Sequence, residues 1–138
     1  TCDWWFINYP KQAQNADDVM RGVESSVTDM RKRAEREGRN VRFAMNPFVA
    51  VEKDEETGIR KTLEQVMKYD PEPDVRKMER RMLPPLKAGL IGTPEQIHAQ
   101  LRRYRDLGLE LILCKMIPTV ENIRRIGEEV VIPGHQIH

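Results

Sequence analysis

Short apolar segments alternate with amphipathic helical segments along this chain, and that alternation limits the fold more than any other feature of the sequence. Three segments, at 3–8, 41–51 and 109–117, have the apolar, β-branched and aromatic character of buried strands. A helical pattern follows each of them. Strands that alternate with helices form a parallel sheet through right-handed crossovers. The sequence therefore predicts an α/β fold in the order β-α-β-α-loop-α-β-α.

The helices have local signals at their ends. Asn15 is placed as an N-cap for the first helix, and Gly38 is placed to end it. The acidic run at 54–56 opens a second helix. Thr93 and Gln96 have the spacing of a capping box, in which each side chain satisfies the other's backbone N–H. These signals predict where the crossover helices begin and end.

The segment 70–89 interrupts the alternation. It contains four prolines and the basic run Arg76, Lys77, Arg80 and Arg81. There is room for a short helix at 74–82, and the remainder has the composition of a loop. Long loops inside compact domains are usually lids, binding loops or disordered segments. We therefore predict a Pro-rich excursion here.

Charge and hydropathy exclude several classes of protein. Lysine and arginine number 23 against 22 aspartate and glutamate, a formal net charge of +1, which excludes a basic arm for nucleic acid. No apolar run approaches the roughly 18 residues of a membrane span, and no basic leader precedes a hydrophobic run. The two cysteines, Cys2 and Cys114, indicate a reducing compartment. We expect a cytoplasmic protein without nucleic-acid or membrane partners.

Six segments in this order resemble one known family. The first is D-W-W-F-I-N at 3–8, and the others are A-E-R-E-G-R at 34–39, V-R-F-A-M-N-P-F-V at 41–49, L-I-G-T-P-E-Q-I at 90–97, D-L-G-L-E-L-I-L at 106–113 and I-G-E-E-V-V-I-P at 126–133. Together they resemble the C-terminal part of the bacterial luciferase-like flavin-dependent monooxygenases. Within that family the resemblance is closest to the alkanesulfonate and dimethylsulfone monooxygenase group.

The resemblance implies a partial (β/α)8 TIM barrel. Residues 1–138 would be the C-terminal portion of that domain, its last three βα units, with 70–89 as a mobile excursion loop. The family oxygenates small organic substrates, often organosulfur compounds, with O2 and reduced FMN that a separate flavin reductase supplies. Its main phosphate-binding loop lies in a part of the barrel that this chain does not contain. We therefore expect the chain to be inactive by itself and to bind FMN weakly.

The resemblance also implies site residues, because barrel active sites lie at the carboxyl ends of the strands. Those positions hold Asn8, Asn46, Phe48, Lys115 and Met116, which would line the substrate and flavin-ring end. Asn46 and Phe48 stand where alkanesulfonate enzymes carry an arginine and a histidine. This departure favours a less charged substrate than a sulfonate.

Family members close an arginine from a loop over the flavin phosphate or the substrate. Arg80 and Arg81 lie in the excursion and are the candidates for that cation. No residue is assigned a catalytic role. The three histidines, His98, His135 and His138, do not form a metal-binding set.

Structural explanations compete with these assignments. Asn46 could cap irregular backbone, Phe48 could be core, and Lys115 could extend along a strand end with its amine in water. Cys114 has no nearby histidine or helix start in the sequence, so a buried, inert thiol is expected. A second hypothesis for the whole chain is a small α/β binding or assembly module without catalysis. Its open strand edges would favour homo-oligomers or strand swapping.

Overall fold

The computed structural model describes residues 2–10 and 12–134. Five short strands alternate with helices over these residues, and every strand pairing is parallel. The strands are β1 (Asp3–Phe6), β2 (Val41–Met45), β3 (Val49–Val51), β4 (Leu90–Gly92) and β5 (Leu109–Ile112). The helices are α1 (Ala16–Arg36), α2 (Glu55–Tyr69), α3 (Val75–Lys87), α4 (Pro94–Leu107) and α5 (Val120–Ile126), which continues as a π-helix (Gly127–Val131) and α6 (Ile132–Gly134). The parallel α/β architecture expected from the sequence is confirmed.

β2 and β3 together form one central strand with a break at Asn46 and Pro47. β1 and β5 pair with β2 in the order β1-β2-β5, and β4 pairs with β3. The contact with the β5 segment continues across the break, where the Lys115 N–H donates to the Pro47 carbonyl at 3.0 Å and the Val49 N–H to the Lys115 carbonyl at 2.7 Å. Proline has no N–H to donate to a strand ladder. Because Pro47 lies at the break, neither β2 nor β3 loses a ladder hydrogen bond.

With β2 and β3 counted as the single strand predicted at 41–51, the structure contains one strand more than the sequence predicts. No strand was predicted at 90–92, yet β4 pairs with β3 from Val49 opposite Leu90 to Val51 opposite Gly92. At three residues it is shorter than the four-residue minimum used to recognise a strand by pattern. The chain therefore has four βα units, and the prediction of three was wrong.

The predicted loop at 70–89 is largely helical. Asp74 caps α3 by accepting a hydrogen bond from the Lys77 N–H at 3.2 Å, and Met78 and Leu86 are buried where α3 packs on α1 and α2. Pro84 and Pro85 lie inside the helix, at a cost of roughly 3 kcal/mol for each interior proline. Burial of the apolar face offsets that cost. The local sequence pattern, by contrast, predicts that these prolines break the helix. Residues 70–74 and 88–89 remain outside helix and strand.

The helix ends agree closely with the predicted signals. The Asn15 side chain accepts from the Asp18 N–H at 2.8 Å, and Gly38 adopts a φ of 63° after α1. Both hydrogen bonds of the Thr93 and Gln96 capping box form. The described part of the last helix runs to Gly134.

Two apolar cores lie on opposite faces of the β3–β4 pair. Val49 and Val51 point into the larger core with residues of α1, α4 and the C-terminal helix, whereas Phe48 and Ala50 point into a smaller core formed with α2 and α3. Alternate residues of a strand face opposite sides, so α2 lies on one face of β3 and α5 on the other. A gap remains between the two helices at the carboxyl end of β3.

One face of the β1-β2-β5 sheet is open. Phe6, Ala44 and Leu111 lie at the same register level, and the side chains of Trp4, Phe6, Leu111 and Leu113 are exposed. Arg42 lies 4.6 Å from the Trp4 ring centre and pairs with Glu110 at 3.3 Å. These exposed apolar side chains lie together on one sheet face, whereas single apolar residues scattered over a surface are ordinary.

Asp54, the N-cap of α2, gives a pH-dependent contribution to stability. The Thr57 backbone N–H donates to its carboxylate at 2.7 Å, and this hydrogen bond lowers the pKa of Asp54. A lowered folded-state pKa means that the contribution is complete above the unfolded-state pKa of about 4 and is lost as pH falls through the folded-state value. Asp54→Asn keeps a cap without the titration, so its melting temperature should fall less than that of the parent chain between pH 5 and pH 2. An equal fall in melting temperature for the two proteins over this pH range would contradict this prediction.

Candidate functional site

The gap between α2 and α5 is a cleft of about 1000 Å³. Its floor is β3 and the segment that follows β5, and both are carboxyl ends of parallel strands. Ligand sites in parallel α/β folds form at such ends. The lining residues are Phe48, Val49, Ala50, Val51, Glu52, Lys61, Thr62, Gln65, Val66, Tyr69, Asp70, Cys114, Lys115, Met116, Ile117, Pro118, Asn122, Ile123, Arg125 and Ile126.

Local sequence places both helical walls. Asp54 begins α2 three residues after β3, so the first turns of the helix pass directly over the strand. Pro118 ends the segment after β5, and the Thr119 side chain caps α5 by accepting from the Asn122 N–H at 3.1 Å. The Asn122 side chain in turn donates to the Ile117 carbonyl at 3.0 Å. These two hydrogen bonds join the start of α5 to the segment after β5.

The α2 wall carries three uncharged polar side chains. Thr62, Gln65 and Tyr69 are spaced three and four residues apart, which places them on one helix face. The Gln65 Oε1 is buried and has no hydrogen-bond partner among the described residues. An unpaired buried acceptor costs about 1–3 kcal/mol. Gln65 therefore brings an unpaired side-chain acceptor to the α2 wall.

Most of the charged groups around the cleft are paired. Lys61 binds Glu52 at 3.0 Å, Asp70 binds Arg81 at 3.2 Å, and Arg125 binds Glu129 at 3.2 Å. Lys115 forms no ion pair with any described residue; its Nζ lies 5.1 Å from the centre of the Phe48 ring. Lys115 is therefore the cation left to interact with a ligand in the cleft.

Three of the predicted site residues line this cleft, namely Phe48, Lys115 and Met116. Asn46 is half-buried at the break before β3 and lies outside the cleft lining, and Asn8 is exposed after β1. The structure therefore separates the predicted set into a group at the cleft and two asparagines away from it.

Arg80 and Arg81 lie on α3 rather than on a loop. Arg81 donates to Asp70 at the rim of the cleft and contacts the Met78 sulfur at 3.2 Å, and Arg80 is exposed. Arg81 thus connects α3 to the end of α2. A cation that closes over a flavin is still a prediction for both residues.

Cys114 lines the cleft and is exposed, so the expected buried thiol is wrong. Its surroundings still desolvate the sulfur enough to raise the pKa of the thiol, which makes it a poor nucleophile at neutral pH. No cluster of three or more His, Cys, Asp or Glu side chains that could hold a metal ion occurs among the described residues. His135 and His138 lie outside those residues.

The sequence analysis missed the helical walls of the cleft. The site residues predicted from the sequence lie at strand ends. That prediction does not include the helical residues Gln65, Tyr69, Asn122 and Arg125. The polar spacing on α2 was visible in the sequence, but only the position of α2 over β3 shows that this face borders a cleft.

Binding rather than acid–base chemistry is what these groups offer. The walls are mainly aliphatic and aromatic, the carboxylates of Glu52 and Asp70 are in ion pairs, and no histidine is among the described residues that line the cleft. Sites of this kind hold an organic molecule in a largely dry environment with a few orienting polar groups. No helix in the described part of the chain is both long and apolar enough to cross a bilayer.

Comparisons with known proteins find similar monooxygenases but no matching family model. No protein-family model matches the chain. It is 25% identical, over 93% of its length, to an FMNH(2)-dependent dimethylsulfone monooxygenase from Pseudomonas fluorescens (strain Pf0-1), and 24% identical over 93% to one from Pseudomonas putida. In both cases the chain spans about 40% of the relative's length.

A solved structure with a similar fold is the coenzyme F420 dependent tetrahydromethanopterin reductase from Methanopyrus kandleri. The TM-score is 0.61 with 16% sequence identity, over 95% of this chain and 45% of the reductase chain. At this identity the likeness concerns the fold alone.

Proposed function

We propose, from the confirmed resemblance to the luciferase-like flavin-dependent monooxygenases, that this chain is the C-terminal part of such an enzyme and carries one wall of its active site. The barrel to which its βα units belong would be completed by further strands. The reaction would use O2 and reduced FMN supplied by a separate flavin reductase. The substrate would be a small, weakly charged organosulfur compound.

The observation that supports this proposal is the cleft at the carboxyl ends of β3 and β5. Phe48, Lys115 and Met116, three of the residues predicted for the site from the sequence, line it. Its volume of about 1000 Å³ exceeds what a small organic substrate requires. The remaining volume would accommodate a flavin ring beside the substrate.

The residues present fit a flavin ring on one structural ground, the unpaired Gln65 Oε1 in an otherwise apolar wall. When bound, the reduced cofactor supplies the oxygen chemistry. Phe48, Val66 and Met116 would exclude water from it, and Lys115 would stabilise negative charge on the ring. Cytoplasmic location and a homo-oligomeric assembly belong to the same proposal.

Protection of Cys114 tests whether a flavin enters the cleft. At alkaline pH, which the raised pKa of the Cys114 thiol requires, millimolar FMN in the dark should slow its alkylation by iodoacetamide several-fold, as measured by mass spectrometry of its peptide. High concentrations are needed because we expect weak binding without the phosphate loop. Cys2 is exposed and does not line the cleft, so it is the internal control and should react at an unchanged rate.

AMP is the matched ligand control, since it has a phosphate but no flavin ring, and it should not protect Cys114. Equal reaction of Cys114 with and without FMN would contradict a flavin site in this cleft. That result would favour the binding or assembly module without catalysis.

A further inference from the structure

The side chain of Gln65 is the one polar group in the cleft with an unmet requirement that the structure records. Its Oε1 is buried and unpartnered among the described residues, although the residue lies in the middle of the α2 wall between Thr62 and Tyr69. The last torsion of a glutamine is broad and roughly two-fold. The amide can therefore turn toward the cleft without leaving its rotamer.

We infer that the Gln65 amide recognises the imide edge of a flat heteroaromatic ring. A side-chain amide presents an acceptor and a donor side by side in one plane. An imide or lactam edge presents the complementary pair, an N–H beside a carbonyl oxygen. Oε1 would accept the ring N–H while Nε2 donates to the neighbouring carbonyl, so the two groups form a pair of parallel hydrogen bonds.

The other groups around Gln65 suit a flat ring. Val66 follows it on α2, Phe48 and Met116 form apolar surface on the floor, and Tyr69 lies one turn further along the helix. Lys115, which has no ion-pair partner among the described residues, lies on the floor as well. A ring held at one edge by Gln65 would thus lie between apolar walls near a positive charge.

This recognition distinguishes the ring from the small substrate. A sulfone has only acceptor oxygens and offers nothing to a glutamine Oε1. An isoalloxazine has an imide edge with an N–H at position 3 between two carbonyl groups. The inference rests on the proposed function, because it assigns the flavin ring, and not the substrate, to the α2 side of the cleft.

FMN and its N3-methyl derivative test the assignment, because the methyl group removes the ring N–H and changes little else. We expect N3-methyl FMN to need about tenfold higher concentration for half protection of Cys114, since one buried hydrogen bond is lost and an acceptor stays unpaired. Gln65→Leu removes both hydrogen bonds, so it should weaken protection by FMN more than protection by the methylated form, and the ratio between the two should fall from about tenfold toward one. Gln14→Leu, an exposed glutamine before α1, is the matched control and should keep the parent ratio.

The outcomes separate the two proposals. Equal protection by FMN and N3-methyl FMN in the parent chain overturns the role of Gln65 and leaves the flavin site intact. Because this comparison uses only the parent chain, it holds even where the leucine variant does not fold. Protection by neither flavin overturns both proposals.

Discussion

Replacing Phe43 by alanine should lower the free energy of unfolding by about 3–5 kcal/mol. Phe43 lies on β2, is 1% exposed, and packs in the larger core. The substitution removes its buried surface and leaves a cavity that the central strand cannot close by moving, because β1 and β5 pair with it on both sides. Urea denaturation followed by circular dichroism measures the change.

Phe6→Ala is the control for this prediction, since it removes the same side chain from the neighbouring strand. Phe6 is 48% exposed on the open sheet face, so its loss should cost about 1 kcal/mol or less. The comparison depends on the two faces of the sheet being different. Equal destabilisation by the two substitutions would show that the open face is covered in solution.

Leu86→Ala should destabilise the chain by about 2–5 kcal/mol. Leu86 is 0% exposed at the end of α3, in the core shared with α2. A mobile loop over 70–89 would make the same substitution nearly neutral, so the measurement decides between the sequence prediction and the observed helix. Chemical denaturation with fluorescence from Trp4 and Trp5 gives the midpoint.

Leu113→Ala is the corresponding control, because Leu113 is 45% exposed on the open sheet face. Its loss should shift the midpoint much less than that of Leu86. If Leu113 were the more costly of the two, the packing of α3 described above would be wrong.

The sequence was sufficient to predict elements whose signals are local. The caps at Asn15 and Thr93 and the glycine after α1 depend on side-chain to backbone bonds within four residues, so they were visible without any tertiary information. The parallel sheet followed from the alternation of strands and helices. These features do not change with what packs around them.

Features decided by tertiary contacts could not be predicted. β4 exists because β3 lies beside it, and α3 tolerates Pro84 and Pro85 because Met78 and Leu86 are buried on its other side. In the cleft, Phe48, Lys115 and Met116 follow from position at strand ends, whereas Gln65 enters only because α2 passes over β3. Local pattern assigns a residue to a helix face but does not identify what that face meets.

The central β2–β3 strand also determines when the chain can fold. Each of its pairings joins distant parts of the sequence: Phe43 with Leu109 and Val49 with Leu90. Contacts of this kind require long loops to close before they stabilise anything, and such topologies fold slowly. During synthesis the central strand would remain unpaired on one edge until the β5 segment has left the ribosome. Nascent chains would therefore depend on α1 and β1 to shield its apolar residues in the interval.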